Sequence, residues 1–182
     1  MSLETFNLYC IIWSLVGVSS FILLQFVRAP YGRHLRKGWG KEIPNNLGWF
    51  LMEMPSFLII LYFYLSSNQR NYAAMLSIFW LVHYFNRTFI YPFRIRTKNK
   101  KMPITIVLSA LGFNFINAGL NGYFLSNLAH YDLSSFQNWN FYLGILLFIS
   151  GFLINQISDT ILINLRKSDE IAYKIPRGFL FK

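Results

Sequence analysis

The sequence predicts an all-α membrane protein, a single integral membrane domain over residues 1–182 built as a bundle of about five transmembrane helices. Three observations predict it. Hydrophobic residues make up 54% of the chain and charged residues only 13%, where a soluble domain carries about 25% charged residues. The few charges divide the chain into apolar intervals of about 20 residues, the length that crosses a hydrocarbon core of about 30 Å. Finally, Lys and Arg fall in short clusters between those intervals, as they do in the loops of membrane proteins.

No formal charge lies between Glu4 and Arg28, which predicts a helix near 6–27. Its leader, Met1-Ser2-Leu3-Glu4, is acidic and its apolar stretch long, so it reads as a span and not a cleaved signal peptide. Only Glu53 interrupts the interval from Glu42 to Arg70, giving a helix near 47–66. Only Arg87 interrupts Arg70 to Arg94, giving 72–93. Lys101 to Asp132 is free of charge, giving 103–127, and Asp132 to Arg166 holds only Asp159, giving 140–165. Residues 166–182 follow as a tail.

Fifteen of the seventeen Lys and Arg residues lie in segments 28–41 and 94–101 and in the tail; Arg70 alone stands on the other side and Arg87 lies inside a span. The excess of positive charge on the cytoplasmic side of membrane proteins puts both basic loops and the tail in the cytoplasm, with the N-terminus outside or lumenal. The same distribution explains the net charge of +10 without nucleic acid, which binds basic patches on a folded surface. Cys10 is the single cysteine, so no internal disulfide forms, and it is expected to pack as a small apolar residue of the first helix. No metal is expected.

An ionisable group in hydrocarbon costs several kcal/mol and needs a partner or a wet cavity. Glu53, Arg87 and Asp159 all lie within spans, joined by His83, Asn114, Asn117, Asn121 and Asn155. At about 1.5 Å per helical residue, Glu53 lies roughly 12 Å and Arg87 and Asp159 roughly 10 Å from the cytoplasmic end, with His83, Asn114 and Asn155 near 16 Å. Four helices therefore bring polar groups to one level, where they are expected to line a cavity open to the cytosol. Asn114, Asn117 and Asn121 share one face at i, i+3, i+7; Tyr84, Arg87 and Tyr91 repeat the pattern, and Asn155 and Asp159 stand at i, i+4. The competing reading has the asparagines tie helices together and Arg87 neutralise Glu53 or Asp159. Glycine-rich nucleotide loops, metalloprotease helices and nucleophile elbows are missing, so the residues alone lead to a cytosol-facing intramembrane pocket.

Several stretches resemble the steroid 5α-reductase family in order and spacing: Ala29-Pro30-Tyr31-Gly32-Arg33-His34, Trp49-Phe50-Leu51-Met52-Glu53-Met54-Pro55, His83-Tyr84-Phe85-Asn86-Arg87-Thr88-Phe89-Ile90-Tyr91, Gly151-Phe152-Leu153-Ile154-Asn155-Gln156-Ile157-Ser158-Asp159 and Ile171-Ala172-Tyr173-Lys174-Ile175-Pro176-Arg177-Gly178. The resemblance implies a seven-helix membrane enzyme that uses NADPH to saturate the double bond of a 3-oxo-Δ4 steroid or similar lipid enone entering from the bilayer. It implies that Glu53 and Tyr84 contact the substrate 3-oxo group and that Asn155, Asp159, Arg166 and Tyr173 hold NADPH. Hydride addition to an enone builds negative charge on the carbonyl oxygen, which an aimed donor stabilises; Glu53 donates only when protonated.

Two departures stand out. The family's Gln is replaced by Met52, and the chain stops at Lys182 where family members carry two more helices, so it reads as a truncated family domain. A homo-oligomer or a separate C-terminal segment is then expected to cover its polar cavity. The alternatives are an enoyl-thioester (enoyl-CoA) reductase of the same superfamily, an isoprenylcysteine-type methyltransferase and a truncated, non-catalytic membrane protein.

Overall fold

A computed structural model describes residues 1–67, 72–96, 100–165 and 174–181. Helix α1 (Leu3–Phe26) starts where the Ser2 hydroxyl accepts the Thr5 amide at 3.2 Å, with Glu4 in the first turn favouring the positive end of the helix dipole. It is apolar on every side, and of its residues only Phe6 is buried, against Tyr123 and Phe124 at ring separations of 6.1 and 5.8 Å. A helix with large apolar side chains all round needs hydrocarbon as its solvent.

Strands β1 (Glu42–Pro44) and β2 (Lys101–Pro103) pair antiparallel, Ile43 opposite Met102. Each runs straight into a helix, β1 into α2 (Asn45–Ser66) and β2 into α6 (Ile104–Tyr123). The Asn45 amide donates to the Lys100 carbonyl and the Ile104 amide to the Lys41 carbonyl, so the short ladder launches both helices side by side. They run parallel: Gly48 meets Met102, Asn114 donates to the Met52 carbonyl, and Gly122 and Ser126 meet Phe63. Gly48 and Gly122 permit the approach, since a Cβ at Gly122 would stand 2.5 Å from Phe63 Cδ2. The buried cluster Met52, Met102 and Val107 closes this seam at the strand end.

The interval expected as one helix near 72–93 is broken into α3 (Tyr72–Met75), α4 (Ser77–Phe85), a π-helical turn (Asn86–Ile90) and α5 (Tyr91–Arg94). Pro92 has no N–H to offer the Thr88 carbonyl, and the Tyr91 amide reaches back five residues to Asn86 instead. The apolar interval is continuous there, interrupted only by Arg87, but one proline suffices to rewind the turn. A second π-helical turn (Phe124–Leu128) ends α6, and α7 (Trp139–Asn164) is the last long helix. Four helices are long and apolar enough to cross a membrane, namely α1, α2, α6 with its π-helical turn, and α7, as befits an all-α membrane protein.

Candidate active site

The two faces of α2 do different work. One packs on α6; the other presents Trp49 and Glu53, one helical turn apart, toward α4, α5 and α7. Between them sits Arg87, on the π-helical turn. Its Nη2 lies 3.4 Å from Glu53 Oε1 and its Nη1 3.3 Å from Asp159 Oδ2. The guanidinium also lies over two rings, 4.7 Å from the centroid of Trp49 and 4.4 Å from that of Tyr91, and these rings meet edge-on at 5.1 Å. One cation thus joins α2, α7 and the broken third segment. The three charged side chains are only 12–15% exposed, so each is held by partners in place of water. The planar fork of an arginine suits two carboxylates and two aromatic faces at once.

A polar seam continues toward the end of α7. Gln156 donates to Asn86 Oδ1 at 3.0 Å and accepts from Arg94, whose other nitrogen donates to the Thr160 hydroxyl at 2.8 Å. The chain pattern gave Arg94 as a loop residue; its side chain instead folds back onto α7. Gln156 and Thr160 stand one position beyond Asn155 and Asp159, so the signal that could have found them is a second i, i+4 polar pair on the same helix.

Tyr84 lies one turn before Arg87 and within electrostatic reach of Glu53 and Arg87. It stacks on Trp80 at 5.2 Å and meets His83 edge-on; His83 in turn meets the ring of Phe152. The hydroxyl of Tyr84 lies beside Ser56, whose buried Oγ makes no hydrogen bond of good geometry among the described residues. Trp80 Nε1, Thr88 Oγ1 and Asn155 Oδ1 are buried without a partner among the described residues as well. Trp80 carries no charge and interrupts no apolar run, so nothing but the fold marks it out, whereas Trp49 opens the stretch that carries Glu53.

The asparagines of α6 fall elsewhere. Asn114 is buried and donates to the Met52 carbonyl, tying α6 to α2 beside Pro55, which lacks the amide for the Leu51 carbonyl. Asn121 donates to the carbonyl and side-chain oxygen of Asn117, so this pair bonds along its own helix and not to the Arg87 cluster. Met52 turns its side chain into the α6 seam. Arg166 and Tyr173 lie outside the described residues.

Outside the spans, Tyr31 closes the cluster. It accepts from Trp49 Nε1 at 3.2 Å. Burial pushes its hydroxyl above the ordinary phenol value, opposed by the Trp49 hydrogen bond and the positive charge of Arg87. A cavity of about 600 Å³ lies between α4, the segment 131–138 and the start of α7, and none of the residues of the Arg87 cluster lines it.

Comparison with known proteins gives the family. Residues 100–182 match the family model described as 3-oxo-5-alpha-steroid 4-dehydrogenase. The chain is 36% identical over 187 residues to steroid 5-alpha-reductase DET2 of Gossypium hirsutum, covering 98% of this chain and 72% of that protein. It is 35% identical to the Arabidopsis thaliana protein of the same name, with the same coverage. To 3-oxo-5-alpha-steroid 4-dehydrogenase 1 of Homo sapiens it is 36% identical over 171 residues, 92% of this chain and 66% of the human protein. An intramembrane cluster of two carboxylates on one arginine, in a chain so similar along its length to these reductases, leads to one conclusion: this protein belongs to the steroid 5-alpha-reductase (3-oxo-5-alpha-steroid 4-dehydrogenase) family and is, by that membership, an oxidoreductase.

Proposed function

We propose that the protein reduces the carbon–carbon double bond of a membrane-dissolved enone, a 3-oxo-Δ4 steroid or a lipid of that shape, with NADPH as the reductant. The observation that carries the reading is the Arg87 bridge. It fixes Glu53, on the substrate side in this assignment, and Asp159, on the cofactor side, to one guanidinium.

The residues fit the cofactor. Asn155 Oδ1 is a buried acceptor without a partner among the described residues, and the Asp159 carboxylate stands one turn away; together they suit the hydroxyls of a ribose. Arg166 and Tyr173 complete the assigned set. Bound NADPH supplies the hydride. The chain's own part is to hold the enone oxygen where charge develops. Tyr84 donates its O–H there without prior protonation, and Glu53 adds a second donor when it carries a proton. Arg87 orients Glu53 through the contact at 3.4 Å. The apolar walls of Phe57, Phe85 and Phe89, whose rings meet tilted or edge-on at 5.2–6.0 Å, exclude water next to the cluster.

The orientation proposed with this function puts the β1–β2 end of the bundle in the cytosol, where the cofactor is. Its support is the ladder itself, which gathers the basic loops around Lys41 and Lys101 at one end of the molecule.

The test is fluorescence-monitored NADPH binding to the purified full chain in detergent, followed by addition of a 3-oxo-Δ4 steroid. Saturable binding with steroid-dependent cofactor oxidation is the expected result. Folded protein that neither binds NADPH nor oxidises it overturns the reading.

A further inference from the structure

The cavity of about 600 Å³ lies at the other end of the bundle from the β1–β2 ladder, and no role described so far uses it. Its size falls within the range of about 300–1,000 Å³ that holds drug-sized ligands. Phe79 of α4, Phe136 of the preceding loop, and Phe141 and Phe148 of α7 form its walls; Asn138 and Asn140 bring amides to the same lining. Those amides lie at the very start of α7, next to Trp139, which is 69% exposed, as an aromatic residue anchoring at the membrane interface is. The cavity thus has its polar groups near the membrane surface and its apolar walls within it.

The walls continue inward. Phe79 meets Phe148 at 5.0 Å, Phe148 stacks on Phe152 at 6.1 Å, Phe152 meets His83 at 6.2 Å, and His83 meets Tyr84 at 5.2 Å. A row of touching rings therefore connects the cavity wall to the ring of Tyr84.

We propose that this cavity is a second binding site, one that receives from the bilayer a flat, apolar molecule with a polar group at one end. The identity of that molecule as the enone substrate rests on the proposed function; the site itself does not.

Gly144 makes the proposal testable. It lines the cavity, and a Cβ built there meets no atom within 4 Å, so a side chain enters empty space in a helix that glycine disfavours. The full chain in bicelles is incubated with a tritiated 3-oxo-Δ4 steroid, whose enone cross-links on near-ultraviolet irradiation, and adducts are mapped by peptide mass spectrometry. NADPH binding is followed in parallel. Saturable adducts on residues 136–148 are expected, reduced about tenfold, a 1.4 kcal/mol loss of affinity, by Gly144→Trp. Gly144→Leu serves as a smaller plug should the tryptophan impair folding, and Gly144→Ala keeps the adducts. NADPH binding is unchanged in all three.

Adducts confined to residues 83–91 and insensitive to both plugs overturn the second site while leaving the reductase reading intact. Plug-sensitive adducts on 136–148 in a protein that never oxidises NADPH uphold the site while the reductase reading fails. No saturable adduct on 136–148 in folded wild type overturns the proposal.

Discussion

Arg87 and Asp159, 72 residues apart in the chain, meet at 3.3 Å because a π-helical turn and a long lipid-facing helix converge on one level of the membrane. The same guanidinium holds Glu53 of α2, so removing it strands two largely buried carboxylates. Arg87→Ala is expected to destabilise the fold by about 3–5 kcal/mol, the cost typical of breaking a buried pair from one side. Arg87→Lys restores the charge but not the fork, and falls between. Thermal unfolding in detergent checks this; an Arg87→Ala transition superimposed on wild type would sink it.

Glu53→Ala, which removes the donor altogether where glutamine would keep an N–H, separates substrate chemistry from cofactor binding. In the proposed mechanism it lowers kcat by about 100-fold, as loss of an oxyanion donor does, with little change in NADPH affinity. Asp159→Ala is expected to do the reverse, raising the NADPH Kd. Steady-state kinetics with both substrates varied distinguishes them; parallel losses in the two variants would mean that both act only through Arg87.

Gly122→Ala tests the α2–α6 seam. The new methyl meets the Phe63 ring and its Cβ, an overpacking expected to cost about 1–3 kcal/mol. Gly119→Ala, on the same helix, meets no atom within 4 Å and is expected to be neutral or stabilising. Equal melting temperatures for the two variants would contradict the seam.

Met52→Gln tests the strand end of the α2–α6 seam. Here the side chain is buried with Met102 and Val107, so an amide placed there loses water without a partner, at about 1–3 kcal/mol. Denaturation in detergent reads the cost. A stabilised variant would show that position 52 turns toward Glu53 instead.

Tyr31 carries the pH dependence. Its folded pKa is raised, so its contribution to stability is complete below the ordinary phenol value of about 10 and is lost as pH rises through the folded value. The absorbance difference between wild type and Tyr31→Phe is expected to titrate above that of a free phenol. Trp49→Phe, which removes the hydrogen bond that opposes the shift, is expected to move it higher still. Titration at the ordinary value in both backgrounds would contradict the contact.

The membrane spans were readable from charge alone. Burying an unpaired charge in hydrocarbon is so costly that seventeen basic and seven acidic residues mark out the apolar intervals, and the three ionisable groups left inside them announce a site. The family, too, was legible, because its motifs lie in order along most of the chain. Tertiary structure decided which polar residues meet. Depth along a helix is linear in sequence, so Glu53, Arg87 and Asp159 were placed on one level; rotation about the helix axis is not, because Pro92 rewinds the turn that carries Arg87. Asn114, Asn117 and Asn121 share a face as their spacing requires, yet that face serves the α2–α6 seam and its own helix. Trp49, Trp80 and Gly144 matter only through what stands opposite them, and no pattern within a single helix records its neighbours.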